Sequence, residues 1–458
     1  MKIIICGAGQ VGFNIAQHLA GQQHDVVVID HSPDLVRRIS EKLDLQAILG
    51  HGSNPDILSN AGAADADLLV AVTNSDEVNM IACQVAHSLF NVPIKIARIR
   101  NQAYQKDRWA DLFSREHMPI DVIISPEREV AKALKRRLSV PGAFNVVPFV
   151  DGKVHLLGLT LDRDCPVIDT PLRQLTELFP NLHAVVALVN RAGRLFVPSS
   201  EDQLQAGDNI YLAVSAEKTA RNMAVFGFEE PEARRVVIVG GGNIGLYFAE
   251  YLEKSPVTMN VKLIEIDPER ATYLAERLGK TVVIKGDALN RDILTEAAIS
   301  SADTVVSIAD DDEVNILASL LAKQNGCPYS IALVNNPVYK GLIDRLGIDV
   351  AIDPKETTVS SIVRHIRRGR IRDLYTVFDG GAEIIESQVL AGSGAAGRQI
   401  GSLHLKGEAK VCMIVREDEV IVPHADTQLE AGDSVVIMVL SDAVRRIEKL
   451  FSAKADIF

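Results

Sequence analysis

One ten-residue phrase occurs twice in this chain. Residues 3–12 read Ile-Ile-Ile-Cys-Gly-Ala-Gly-Gln-Val-Gly, and residues 236–245 read Val-Val-Ile-Val-Gly-Gly-Gly-Asn-Ile-Gly. Each is a short apolar strand running straight into Gly-x-Gly-x-x-Gly. A single run of this kind is weak evidence, because glycine-rich turns are common. Two copies with matching text downstream mark an internal duplication. A duplicated strand–turn–helix commits the chain to two α/β lobes.

The two copies align over most of the sequence. Val28-Ile29-Asp30-His31-Ser32-Pro33 matches Leu263-Ile264-Glu265-Ile266-Asp267-Pro268. Gly50 through Leu58 matches Gly286 through Leu294, and Asp76-Glu77-Val78-Asn79 recurs as Asp312-Glu313-Val314-Asn315. Tyr104 finds Tyr339, and Ile120-Asp121-Val122 finds Ile348-Asp349-Val350. Further on, Leu204-Gln205-Ala206-Gly207-Asp208 matches Leu429-Glu430-Ala431-Gly432-Asp433.

Within the first copy, continuous apolar stretches at 2–6, 25–30, 46–49, 67–72, 94–99 and 121–124 read as strands. Helical patterns fill the intervals at 11–21, 33–42, 54–61 and 76–90. Apolar strands alternating with helices predict a parallel sheet covered on both faces. The expected fold is therefore α/β, with two Rossmann-like doubly wound lobes spanning 1–124 and 232–352. A helix follows each lobe, at 125–142 and 353–372. Ser125-Pro126 opens the first, and Asp353-Pro354-Lys355-Glu356 is a strong start signal for the second. Val130, Leu134 and Leu138 share one face of the first; Val359, Ile362, Val363 and Ile366 share one face of the second. Such a face serves either its own domain or a partner lobe, the second case making the helix a crossover. Residues 143–227 and 373–453 then show hairpin alternation around Asp151-Gly152 and Asp379-Gly380-Gly381, predicting two small α+β modules.

Composition narrows the function. The net charge of −12, aromatics at 5% and a single Trp, Trp109, argue against a nucleic-acid binder. The five cysteines stand singly without metal or redox spacing, and read as reduced, packed thiols of an intracellular protein. There is no signal-peptide pattern at Met1 and no apolar run long enough to span a bilayer.

The glycine runs are candidate phosphate cradles. The first glycine allows a tight turn, the second lets phosphate approach bare backbone, and the third lets helix and strand pack closely. The helix N-terminus presents free N–H groups and a partial positive charge. The candidate cradles are Gly7, Ala8, Gly9, Gln10, Val11 and Gly12 in the first lobe, and Gly240, Gly241, Gly242, Asn243, Ile244 and Gly245 in the second. Asp30 and Glu265 end the second strands. A carboxylate there accepts from ribose hydroxyls and repels a 2′-phosphate, favouring NAD(H) or an adenosine nucleotide over NADP(H); the alternative is that it caps the next turn. Later strand ends add His51, Thr73, Asn74 and Arg98 in the first lobe, and Asp287, Ala309 and Asp310, with Leu333, in the second. Arg98 can pair with a pyrophosphate; Leu333 cannot. Asp310-Asp311-Asp312 places three acids where phosphates would lie. The two sites are therefore expected to differ, the first holding an anionic dinucleotide more tightly.

The ordered set of glycine turn, strand-end acid, Gly-(His/Asp)-x-x-Asn-x-Asp-Ile-Leu segment, Asp-Glu-Val-Asn helix start, crossover helix and small β-rich module resembles the RCK/KTN family. These are cytosolic regulatory domains of potassium channels and transporters. The resemblance covers nearly the whole chain and occurs twice. It implies RCK-N lobes that bind NAD(H), ATP or ADP, and RCK-C modules. It also implies a ring of eight lobes, hence a homotetramer, docked on the inner face of the cell membrane through a TrkH-like potassium-translocating subunit. By motif matching, Gly7–Gly12, Asp30, Thr73, Asn74 and Arg98 form one site; Gly240–Gly245, Glu265, Ala309 and Asp310 form the other. The expected mechanism is a population shift, in which nucleotide binds two ring conformations with different affinity.

Two rivals predict different features. An NAD-dependent dehydrogenase needs a substrate domain and a proton-transfer residue. The chain has no Tyr-x-x-x-Lys, and His18, His87 and His117 stand singly. A nucleic-acid or redox-sensing regulator finds its best support in the basic run 364–372, but no helix-turn-helix module is spare to read a groove.

Overall fold

The computed structural model describes residues 1–21, 24–105, 107–179, 182–229, 232–366, 373–405 and 407–451. Residues 367–372 of the basic run, and the side chains of residues 363–366, lie outside the described residues.

The duplication is realised as two six-stranded sheets. In the first lobe β1 (Lys2–Cys6), β2 (Asp25–Asp30), β3 (Gln46–Leu49), β4 (Leu68–Ala71), β5 (Ile94–Arg98) and β6 (Val122–Ile124) are ordered β3-β2-β1-β4-β5-β6. All neighbours are parallel. The strands are apolar on both faces because helices cover both, and Ile3, Ile4 and Ile5 are fully buried. The chain order reverses between β1 and β4, which opens a crevice at the carboxyl ends of the strands.

The first module follows with β7 (Asn145–Phe149), β8 (Val154–Thr160), β9 (Ala184–Arg191), β10 (Arg194–Phe196) and β11 (Asn209–Ser215), in the antiparallel order β10-β9-β11-β8-β7. The Asp151-Gly152 hairpin is looser than a two-residue turn. Val150, Asp151 and Gly152 all have positive φ, and the strands resume only at Val154.

The second lobe repeats the first: β12 (Arg235–Val239), β13 (Asn260–Glu265), β14 (Val282–Lys285), β15 (Thr304–Ser307), β16 (Tyr329–Leu333) and β17 (Val350–Ile352) are ordered β14-β13-β12-β15-β16-β17. The second module holds β18 (Asp373–Val377), β19 (Ala382–Gln388), β20 (Ala409–Arg416), β21 (Glu419–Ile421) and β22 (Ser434–Leu440), ordered β18-β19-β22-β20-β21.

The helices after each lobe exchange partners. Helix Pro126–Ser139 starts on a cap in which the Ser125 hydroxyl accepts from the Arg128 N–H. Its apolar face, Val130, Ala131, Leu134 and Leu138, is buried in the core of the second lobe with Leu246, Phe248 and Leu252. Arg128 Nε donates to the Tyr247 hydroxyl there at 3.0 Å. Helix Pro354–Ile366 does the reverse, with Ile362 buried in the first lobe beside Ile15 and Leu19. Each lobe therefore completes its core with the other's helix. The modules also pack face to face, sharing one core that includes Leu156, Leu188, Ile384 and Met438. Asn145 Nδ2 donates to the Tyr375 hydroxyl at 2.6 Å, and Glu386 accepts from the Val150 N–H at 2.7 Å across this seam. All five cysteines are buried free thiols. No helix among the described residues is long and apolar enough to cross a membrane.

Candidate nucleotide sites

The three glycines of each run have separate physical duties. Gly7 has φ +115°, and a Cβ there would lie 2.9 Å from the Thr73 nitrogen. A Cβ on Gly12 would lie 1.8 Å from the Gly7 carbonyl oxygen, so helix and strand close up only with glycine at that place. Gly240 and Gly245 repeat this geometry, with a Cβ on Gly245 lying 2.0 Å from the Gly240 oxygen. The middle glycines differ. A Cβ on Gly9 meets nothing within 4 Å, and one on Gly242 meets only Asp310 Oδ1 at 3.8 Å. They face open space above the helix N-terminus, which is where an anion seats.

Asp30 and Glu265 are both 8% exposed. Asp30 accepts from the Ala8 N–H at 2.6 Å and the Ser32 N–H at 2.8 Å. Glu265 accepts from Gly241 at 2.7 Å and Asp267 at 2.8 Å. The capping role is thus real in both copies, and it fixes each carboxylate against the glycine turn. His51 is stacked on His31 with ring centroids 5.3 Å apart, beside Asp30. Asp287 instead accepts from the Leu289 N–H at 2.9 Å, a local cap.

The Asp-Glu-Val-Asn motif does more than start a helix. Asn79, fully buried, accepts from the Thr73 N–H at 2.8 Å and donates to the Arg98 carbonyl at 2.9 Å. Asn315 accepts from Ala309 at 2.7 Å and donates to the Leu333 carbonyl at 3.0 Å. Each asparagine thereby ties the end of the fourth strand to the end of the fifth. Asp76 and Asp312 hold the next loop, accepting from Arg100 and Asn101, and from Asn335 and Asn336, respectively. The strand ends that line the crevice are set by this motif.

Two clefts open at these strand ends. The first, of about 330 Å³, brings together Gly9, Gln10, Val11, Asn74 and Arg98. The second, of about 860 Å³, brings together Gly242, Asn243, Ile244, Ala309 and Asp310. Gly7, Ala8, Gly12, Asp30, His51 and Thr73 do not line the first cleft, and Gly240, Gly241, Gly245, Glu265 and Asp287 do not line the second. Arg100, Glu127, Asn335 and Pro354 line both clefts. Lys355 and Thr358, from the second lobe's crossover helix, complete the first.

Arg98 is 6% exposed, with Nη2 bonded to the Thr73 carbonyl at 3.0 Å and to Asn74 Oδ1 at 3.2 Å. Its Nε is buried without a partner. Burial, then the nearby Arg100, pushes its pKa down to about 10, so it remains charged at neutral pH. The acidic run of the second cleft is less free than its sequence suggests. Asp311 caps the helix through the Val314 N–H, Asp312 holds the loop at Asn335, and Glu313 takes the Tyr339 hydroxyl. That leaves Asp310 on the wall beside Gly242. Arg100, Glu127, Asn335, Lys355 and Arg270 were missed by sequence reasoning. The first four reach across from the opposite lobe or its crossover helix, and Arg270 sits inside a helix with no motif to mark it.

Two glycine-turn parallel lobes with exchanged helices, each leading to a small antiparallel module, define the RCK class of fold. The described architecture superposes on the GsuK RCK domain with a TM-score of 0.59 over 98% of this chain and 94% of that one, at 18% identity. It superposes on the GsuK channel bound to NAD with the same score, covering 98% and 78%. Models of the TrkA-N domain match residues 3–126 and 236–354, and models of the TrkA-C domain match 156–227 and 384–452. The chain belongs to the TrkA family. It is 47% identical to the Trk system potassium uptake protein TrkA of Azorhizobium caulinodans over 458 residues, covering all of both chains. It is 40% identical to that of Halomonas elongata, again over the full length of each. The family is one of potassium uptake proteins, not of dehydrogenases.

Proposed function

We propose that this protein is a cytosolic nucleotide-sensing regulatory subunit. It binds NAD(H), ATP or ADP in the two clefts and gates potassium uptake through a TrkH-like membrane subunit. It works as a homotetramer whose eight lobes form a ring on the inner face of the membrane. In this reading the chain divides into lobes 1–124 and 232–352, crossover helices 125–142 and 353–372, and modules 143–227 and 373–453.

The observation that carries the reading is the shared wall. Arg100, Glu127, Asn335 and Pro354 border both clefts, so a ligand in either one touches both lobes. Phosphates that draw Arg100 or Lys355 toward a glycine turn also change the angle between lobes. Binding energy is thereby converted into a rigid-body movement, and a differential of about 1–3 kcal/mol shifts occupancy 5–150-fold. The donor set fits an adenine nucleotide: open middle glycines, a fixed strand-end acid, and an unpaired guanidinium nitrogen on Arg98. Support for the ring comes from apolar side chains left on the lobe surfaces: Ile81 and Leu89 on the first, Leu317, Val338, Leu342 and Leu346 on the second.

The test is co-purification with a TrkH-like subunit, followed by potassium flux in vesicles with ATP, ADP, NAD and NADH added in turn. Association, with flux that depends on which nucleotide is present, is expected. Flux indifferent to all four would end the sensing proposal, and oxidation of NADH by added ketones would replace it with catalysis.

A further inference from the structure

The two clefts carry different cations. The first has Arg98 at the end of β5, where the second has Leu333, buried in its own core. At the start of the helix after the ribose acid, the relation reverses. Ser32-Pro33-Asp34-Leu35 of the first lobe matches Asp267-Pro268-Glu269-Arg270 of the second. Leu35 packs against the first lobe's core, whereas Arg270 lines the second cleft. Its Nε donates to the Gly241 carbonyl at 2.7 Å, which pins the guanidinium to the glycine turn. Its Nη2 is buried and has no partner.

A planar guanidinium held by one edge, with a buried N–H free, is an incomplete hydrogen-bonding arrangement. Leaving such a donor unmet is costly, and a phosphate oxygen satisfies it with a charge-assisted bond. The location is right for that: Arg270 borders the same cleft as the open Gly242 and the helix N-terminus at Asn243. Of the acids on this wall, Asp311, Asp312 and Glu313 are already engaged, which leaves Asp310 as the carboxylate nearest the open Gly242.

We infer that Arg270 is the phosphate-pairing, specificity-determining residue of the second site, carrying there the task that Arg98 carries in the first. The ligand class is a nucleoside diphosphate or the pyrophosphate of a dinucleotide. The duplicated chain therefore places one phosphate-pairing arginine in each cleft, at the end of β5 in the first lobe and in the helix after β13 in the second. This rests on the nucleotide reading above.

The experiment is calorimetric titration of the full chain with ADP. The unsubstituted protein is expected to show binding at both lobes. Arg98→Leu weakens one class of site, and Arg270→Gln weakens the other at least tenfold although glutamine still offers an N–H to Gly241. Arg270→Lys, which keeps the charge, stays within about threefold of the unsubstituted protein, because an ammonium remains a phosphate partner. If Arg270→Gln binds ADP as the parent does, or if the lysine variant is as weak as the glutamine one, Arg270 only supports the turn and the inference falls. If the parent protein gives no ADP heat at all, the nucleotide reading itself falls, and this inference with it.

Discussion

The two lobes share a frame and differ in what they mount on it. Strand order, the glycine turns, the strand-end acid, the clamping asparagine and the loop-holding aspartate recur at matching places. The cations do not: Arg98 faces Leu333, and Leu35 faces Arg270 across the repeat. Parts that fix backbone geometry tolerate no substitute, because each fills several hydrogen-bonding obligations in a dry place. A cation needs only to reach the cleft, and several positions on its rim can supply it. After duplication the frame is thus held while the donors migrate.

The comparison breaks most visibly at the asparagines. Asn79→Ala strips bonds from the half-buried Thr73 N–H and hydroxyl and from the Arg98 carbonyl, around a side chain that is itself fully buried. Asn315→Ala does the same to Ala309 and Leu333. Several buried groups left unmet should destabilise each lobe by about 3–4 kcal/mol. Denaturant unfolding should show losses of similar size in the two variants. A large loss in one lobe with none in the other would mean that the frames are not equivalent.

A smaller effect should separate the lobes. Lys95, 1% exposed, pairs with Asp121 at 2.8 Å and donates to the carbonyls of Val92 and Pro93. In the second lobe Ser330 occupies the place of Lys95 on the strand, and Lys323, from helix Asp312–Gln324 and 29% exposed, reaches Asp349 at 2.7 Å. Removing a buried cation strands its carboxylate, whereas a solvent-screened pair contributes little. Lys95→Met should therefore cost about 2–3 kcal/mol, and Lys323→Met less than about 1 kcal/mol, by chemical denaturation. Equal losses would show that burial does not decide the difference.

These contrasts also mark where reading from sequence succeeds. Strands such as 25–30 and 46–49, and the helix at 76–90, emerge from local periodicity, and the structure places β2, β3 and helix Asp76–Phe90 there. The glycine turns are legible because steric exclusion at Gly7 and Gly12 admits no other residue type. What local pattern conceals is the partner of an amphipathic face. Val130 and Leu134 mark a buried stripe, but nothing near them in the chain says that the stripe completes the opposite lobe. The same ignorance of long-range pairing hid Arg100, Glu127 and Lys355, whose place in the clefts depends on that exchange. Asp310-Asp311-Asp312 misled in the other direction, since a run of charges does not reveal which members are tied to backbone N–H groups.

The modules differ too, and pH should expose it. His155 on β8 occupies the place that Glu383 holds on β19: each lies second in its strand, pairing with Val214 and Val439 respectively. His155 Nδ1 lies 3.0 Å from the Thr219 hydroxyl. Burial, then the nearby Arg136, holds its pKa below the ordinary value. A depressed histidine is neutral in the folded module while the unfolded chain takes up a proton as pH falls below about 6.5. The unfolded state then binds more protons, so this contribution to stability is complete above that pH and is lost on acidification toward the folded pKa. The imidazole is half-buried, so solvent screening keeps the loss below about 1 kcal/mol. His155→Gln keeps a hydrogen-bonding group toward Thr219 and removes the titration. Thermal unfolding followed from pH 7.5 to 5 should fall less steeply for this variant than for the parent. Parallel curves would place the acid sensitivity elsewhere, with the Glu383 side of the seam as the next candidate.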